Sequence, residues 1–207
     1  MKKLMLLLAL VLTAAATQAQ NKPAEYAGLK PGDYAKDFTL KNVDTRDVSM
    51  GMFPSAKGFI LVFTCNHCPY SIAYEDRIDA LNKKYEPKGY KVIAINPNDP
   101  AVQPADSYEN MQVRAKEKQF TFPYAFDDGQ KTLAAYGAQR TPHVYVVTRD
   151  DKGYRVDYVG AIDDNHEDAT AVKKRYVEDA VDALLEGNKP KVDFTKAIGC
   201  SIKVKKA

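Results

Sequence analysis

The sequence predicts an α/β fold in which a central mixed β-sheet is flanked by helices, and three stretches carry that expectation. An unbroken apolar run, Phe59-Ile60-Leu61-Val62-Phe63, has the character of a strand covered on both faces. An amphipathic stripe follows, with Tyr74, Ile78, Leu81 and Tyr85 recurring at helical spacing between charged residues. A second apolar run, Val92-Ile93-Ala94-Ile95, completes a strand–helix–strand unit, which requires parallel strands and a right-handed crossover. Further on, residues 143–147 and 154–159 flank the turn Asp150-Asp151-Lys152-Gly153 as an antiparallel hairpin, so the sheet is mixed.

The remaining elements follow in order. Lys2 and Lys3 precede an apolar run from Leu4 to Leu12 and then small residues, so residues 1–19 read as a secretory signal peptide cleaved after Ala19. Residues 20–34 are an extended arm, residues 35–186 the folded domain and residues 187–207 a C-terminal extension. Asp37 to Leu40 alternates polar and apolar as a short strand, and 42–55 is a polar connection. Lys88-Gly89 ends the first helix. Residues 96–104, rich in Asn, Asp and Pro, form a loop. Asp106 and Glu109 have the spacing of a capping box, ahead of Tyr108, Met111 and Ala115 on one helical face. Residues 123–126 are extended, and 130–136 form a short helix stopped by Gly137. Thr141-Pro142 stands immediately before the hairpin. The last helix is expected over 168–185, with Val177, Val181 and Leu184 inward and Gly187 as its stop.

Composition narrows the function. The chain has 207 residues, 45% hydrophobic and 28% charged, which suits one globular domain with a sizeable core. Removing residues 1–19 takes two lysines from 30 basic residues and none of the 27 acidic ones, leaving a net charge of about +1. That balance gives no reason to expect nucleic acid, and the basic tail from Lys203 to Lys206 reads as a solvated chain end. The early apolar run is too short to span a bilayer comfortably, and no later segment approaches that length. The mature chain is expected to be exported, periplasmic or secreted, in a compartment where disulfides persist.

The chemistry centres on Cys65-Asn66-His67-Cys68, between the first strand and its helix. Two cysteines at this spacing can close a small disulfide ring, and a helix N-terminus favours a thiolate, expected here at Cys65. Covalent haem needs His directly after the second cysteine, where Pro69 stands. A closed zinc site usually needs a second ligand pair, and only Cys200, His143 and His166 remain, far apart in sequence. No resident cofactor or metal is expected.

This order of elements, with Phe63 to Tyr70, Asn96-Pro97-Asn98-Asp99, Phe122-Pro123-Tyr124 and Thr141-Pro142-His143, resembles the thioredoxin superfamily. The resemblance is to its redoxin branch, which includes alkyl hydroperoxide reductase and thiol-specific antioxidant proteins and exported thiol-disulfide oxidoreductases. It covers roughly residues 35–186, and one subgroup is also similar through Gly160 to Asn165 and at Gly199 to Lys203. The resemblance implies a thioredoxin-like fold and disulfide exchange with protein thiols, recharged by an upstream redox partner. It implies that Cys65 is the exposed attacking thiol and Cys68 the resolving one, with Asn66, His67, Thr141 and Pro142 in support. Pro142 would be cis, and the Thr141 backbone would pair with an incoming substrate strand. A positive charge on His67 would favour the Cys65 thiolate and place the disulfide on the oxidising side of thioredoxin.

Two other functions belong to the same residues. A thiol peroxidase with antioxidant activity is natural to the branch, but the family's hydroxyl three residues before its cysteine is absent, since Val62 precedes Cys65 and Cys65 precedes Cys68. A copper or zinc carrier would use Cys65 and Cys68 with His67 or His143. Cys200 is either a buried residue of the extension, the favoured reading, or a third thiol able to exchange with the pair.

Overall fold

The protein was analysed as a computed structural model, which describes residues 26–205; the signal-peptide expectation at 1–19 lies outside the described residues. The strands are β1 (Tyr34–Ala35), β2 (Leu40–Asn42), β3 (Asp47–Val48), β4 (Gly58–Phe63), β5 (Tyr90–Asn96), β6 (Tyr124–Phe126), β7 (Arg140–Thr141), β8 (His143–Asp150), β9 (Gly153–Gly160) and β10 (Cys200–Ser201). The helices are α1 (Pro69–Tyr85), α2 (Tyr108–Lys118), α3 (Lys131–Tyr136) and α4 (Tyr176–Leu185). Eight strands form one sheet in the order β1-β9-β8-β4-β5-β6-β2-β3. β4 runs parallel to β5, and β5 to β6, while β8 lies antiparallel on the other side of β4. The mixed sheet expected from the crossover unit and the hairpin is therefore present.

All six residues of β4 are buried, as a central strand with layers on both faces requires. Because successive side chains alternate, Ile60 and Val62 enter one core with Tyr74, Ile78, Leu81 and Tyr85 of α1 and Val177 and Val181 of α4. Phe59, Leu61 and Phe63 enter the other, with Met50, Leu133, Tyr136 and Tyr145. The predicted α1 stripe is thus the buried face of that helix. Ile78 is almost fully buried, and truncating such a side chain to alanine costs about 2–5 kcal/mol.

Several local expectations change. The strand expected at 37–40 begins instead at Leu40, because the Asp37 carboxylate accepts hydrogen bonds from the backbone N–H groups of Phe38, Met50 and Gly51 and closes a loop. The polar connection 42–55 contains β3 and a 3-10 turn, and it buries Val48 and Met50. Tyr34, at the end of the expected arm, starts edge strand β1 against β9. The cap of α2 is Ser107, which accepts from Asn110 N–H, so Asp106 and Glu109 form no capping box. The last helix starts at Tyr176 rather than near 168. Asp164 Oδ1 draws the N–H groups of Lys173 and Lys174 sideways, and Asp168 caps only a 3-10 turn at Ala169–Ala171. Residues 193–203 return along the domain. Val159 exchanges backbone bonds with Asp193 and Thr195, β10 pairs with β7, and Lys203 N–H donates to Asn98 Oδ1, so the tail's backbone is anchored rather than a free solvated end.

Candidate active site

Cys65 and Cys68 lie between the C-terminal end of β4 and the start of α1, where the apolar run ends and Pro69 opens the helix. A proline in the first turn loses no helical hydrogen bond. Cys68 itself is the N-cap residue. Both sulfurs are enclosed, Cys65 being 2% exposed and Cys68 0%, so the exposed attacking thiol expected at Cys65 is not found.

The helix terminus also meets the pair differently from the expectation, at Cys68 rather than Cys65. The two thiols are coupled, Cys65 being pushed up and Cys68 pulled down. Cys65 is pushed up by the bond to Cys68, then by burial, then by the charge of Asp106. Cys68 is pulled down by the Cys65 thiol and, against the penalty of burial, by Cys200 and the Ser71 N–H. The helix N-terminus thus serves the second cysteine, because that residue, and not Cys65, stands at the first turn. When protonated, Cys68 donates to the Thr141 carbonyl 3.1 Å away. This single acceptor opposes ionisation but faces several donors.

Asp106, read from sequence as a helix cap, is the hub of the loop before α1. Its Oδ1 accepts from the N–H groups of Asn66 (2.8 Å) and His67 (3.2 Å), and its Oδ2 lies 2.5 Å from His67 Nδ1 and 2.6 Å from Asn98 Nδ2. Asn96 Nδ2 donates to the Asp106 carbonyl. The buried amides of Asn96 and Asn98, in the Asn-Pro-Asn-Asp stretch, were the available signal that a buried polar partner stood nearby. Asn66 is held by Tyr124 O–H at its Oδ1 and donates its Nδ2 to the Ala105 carbonyl. His67 Nδ1 is also 3.6 Å from Cys65 Sγ, so one ring nitrogen faces both the thiol and the carboxylate.

Thr141-Pro142 is a cis peptide bond beside the dithiol. Thr141 contributes more than its backbone, since its Oγ1 lies 3.4 Å from Cys65 Sγ and Ser71 Oγ lies 3.9 Å from it. Hydroxyls therefore face Cys65 from β7 and from the first turn of α1. The Thr141 edge expected to receive a substrate strand is already taken, for it pairs with Cys200 of β10. Cys200 is only partly buried and lies against Cys68, so it is not the enclosed core residue favoured from sequence. His143 accepts the Gln139 N–H at Nδ1 and packs on Tyr145, while His166 stacks on Tyr70 at 4.3 Å. Among the described residues, one group of three could hold a metal ion: Cys65, His67 and Asp106, with ligand atoms within 4.8 Å of one another.

Comparison with known proteins agrees with this architecture. A crystal structure of an uncharacterized conserved protein from Geobacillus kaustophilus is 36% identical, with a TM-score of 0.79 over 86% of this chain and 93% of that one. The thioredoxin domain of a thiol-disulfide oxidoreductase from Bacteroides vulgatus shares the fold at 18% identity, with a TM-score of 0.51 over 62% of this chain and 86% of that one. The thiol-disulfide oxidoreductase ResA of Halalkalibacterium halodurans is 23% identical over 118 residues, which are 57% of this chain and 62% of that protein. The chain thus spans less than two thirds of that relative's length. The AhpC/TSA family model matches residues 31–159, from the loop before β1 to the penultimate residue of β9, and the chain belongs to that family, with a thioredoxin-like fold.

Proposed function

We propose that this protein is an exported thiol-disulfide oxidoreductase that exchanges a Cys65/Cys68 disulfide with protein thiols and is recharged by an upstream redox partner. The observation that carries the reading is a pair of thiols enclosed at the N-terminus of α1, against cis Pro142. Stabilising the Cys68 thiolate stabilises the reduced form, so the disulfide is an oxidant relative to thioredoxin, whose potential is about −270 mV. The cause is the helix terminus and its donors at Cys68, with His67 secondary. Because β10 fills the Thr141 edge, a protein substrate meets the pair from the half-buried Asn66-His67 side. The names of the ResA relatives support the activity, and the sequence of residues 1–19 supports export.

A glutathione titration with thiol trapping tests this on Cys200→Ser protein, which isolates the pair. A reversible two-electron couple at Cys65 and Cys68, at a potential above that of thioredoxin, is expected; a pair that stays reduced across the range overturns the proposal. Peroxide reduction is disfavoured despite the Thr141 hydroxyl, because Cys65 is 2% exposed and Val62, not a hydroxyl residue, stands three positions before it.

The Cys65, His67 and Asp106 cluster favours a second reading, a soft-metal carrier, with Asp106 in place of the expected Cys68 and His143. A metal there would have to break the His67–Asp106 bond. Near-stoichiometric zinc or copper in protein purified under reducing conditions, lost in Asp106→Ala, would establish that reading.

A further inference from the structure

Cys200 takes no covalent part in the exchange chemistry proposed above, yet the fold brings it to the dithiol with several restraints. β10 lies antiparallel to β7 with Cys200 opposite Thr141, the residue whose carbonyl accepts from Cys68 Sγ. The approach is close: a Cβ on Gly199 would stand 2.1 Å from the Thr141 carbonyl oxygen, at a positive φ that suits glycine. Beyond Cys200 the chain is tied at Lys203, which donates its N–H to Asn98 Oδ1 and accepts at its carbonyl from Asp99 N–H and Gln130 Nε2. The strap therefore passes over the site held on both sides of Cys200. The Cys200 thiol and N–H both reach Cys68, so Cys68 has two thiol neighbours, Cys65 and Cys200.

We propose that Cys200 is a third redox-active thiol, which attacks Cys68 in the Cys65–Cys68 disulfide and moves the bond to Cys68–Cys200. The proposal rests on the oxidoreductase reading, which supplies the initial disulfide. In the step, the Cys200–Cys68 bond forms, the Cys68–Cys65 bond breaks, and Cys65 leaves as a thiolate. Cys200 loses one proton and Cys65 takes one up, so no external oxidant or reductant is needed. The state of the pair gates the step. In the reduced protein, burial and the charge on Cys68 hold Cys200 as a thiol. Oxidation removes that charge, and Arg140 and Lys203 remain to favour the Cys200 thiolate. The product leaves Cys65 free for another substrate and fastens the strap across Thr141.

The test is disulfide mapping by mass spectrometry after treatment of the full mature chain with oxidised glutathione, with far-UV circular dichroism to confirm folding. In Cys65→Ser protein, glutathione loads Cys68 and Cys200 displaces it. The expected product has a Cys68–Cys200 bond, no free thiol and no retained glutathione. Changing Cys200 to serine as well leaves the Cys68–glutathione adduct standing, with its loss slowed at least about 100-fold. Wild-type protein, which needs no variant to fold, is expected to contain both Cys65–Cys68 and Cys68–Cys200 linkages. A folded Cys65→Ser protein that keeps its glutathione, together with wild-type protein holding only Cys65–Cys68, overturns the inference and leaves the exchange function intact. Absence of any Cys65–Cys68 disulfide in the Cys200→Ser protein overturns the exchange function instead.

Discussion

Two buried carboxylates stand beside α1 and are held in opposite ways. Asp163, next to the flank of the helix, is met by a permanent cation: Arg77 donates to its Oδ2 at 2.6 Å and also to the carbonyls of Asn165 and His166, while Tyr74 O–H donates to its Oδ1 at 2.7 Å. Asp106, ahead of the helix, is met by two backbone N–H groups, the amide of Asn98 and a titratable imidazole, with a thiol 3.6 Å from that imidazole. Because Arg77 also holds the Asn165 and His166 carbonyls, the Asp163 pair serves as a joint between α1 and the loop after β9. The Asp106 charge instead acts on the neighbouring sulfur and pushes the Cys65 thiol up.

The largest effect that can break this contrast is expected at the joint. Arg77→Ala strands the Asp163 charge and is expected to cost about 3–5 kcal/mol, read by urea unfolding, with the redox potential of the dithiol unchanged. A shift in potential equal to that of a site variant would erase the distinction.

His143 sharpens the contrast as a buried group with no charged partner. Burial alone pushes it down from 6.5 to about 4, so the unfolded chain binds the extra proton between those values. The stability this group contributes is fully present above pH 6.5 and is lost as the pH falls to about 4, a loss of about 3 kcal/mol. The pH–stability curve of His143→Phe is expected to lack that portion.

Asp106→Asn is expected to cost less in stability than Arg77→Ala, about 1–3 kcal/mol, since neutral partners lose less when the charge goes. Its signature is chemical. With the carboxylate charge removed, Cys65 ionises at lower pH, read as the pH profile of its alkylation in a Cys68→Ser, Cys200→Ser background. The smallest effect is expected for His67→Ala, a shift of the potential toward more reducing values by no more than about 30 mV. An unchanged potential would remove His67 from the redox chemistry and leave it as a positioning partner of Asp106.

The cysteine pair at the strand–helix junction, the crossover unit, the helical stripe of α1, the hairpin and the proline before β8 were all legible in the chain, because each depends on apolar periodicity or on residues close in sequence. Burial along β4 follows from its unbroken apolar run, and the Tyr74, Ile78, Leu81 and Tyr85 face from the 3.6-residue repeat. Asp106 was misread for the same reason: its spacing to Glu109 matched a local cap, while its actual partners Asn66 and His67 lie 40 and 39 residues away. Tertiary structure also decided which cysteine the helix terminus serves, since a shift of the first turn by a few residues exchanges the two roles. It placed the Thr141 hydroxyl at Cys65, 76 residues distant, and laid Cys200 against Cys68 across the edge expected for substrate. Such contacts carry no periodic signal. They arise when packing of the sheet and return of the C-terminal strap bring distant polar groups into one enclosed space, where burial makes their charges and hydrogen bonds count.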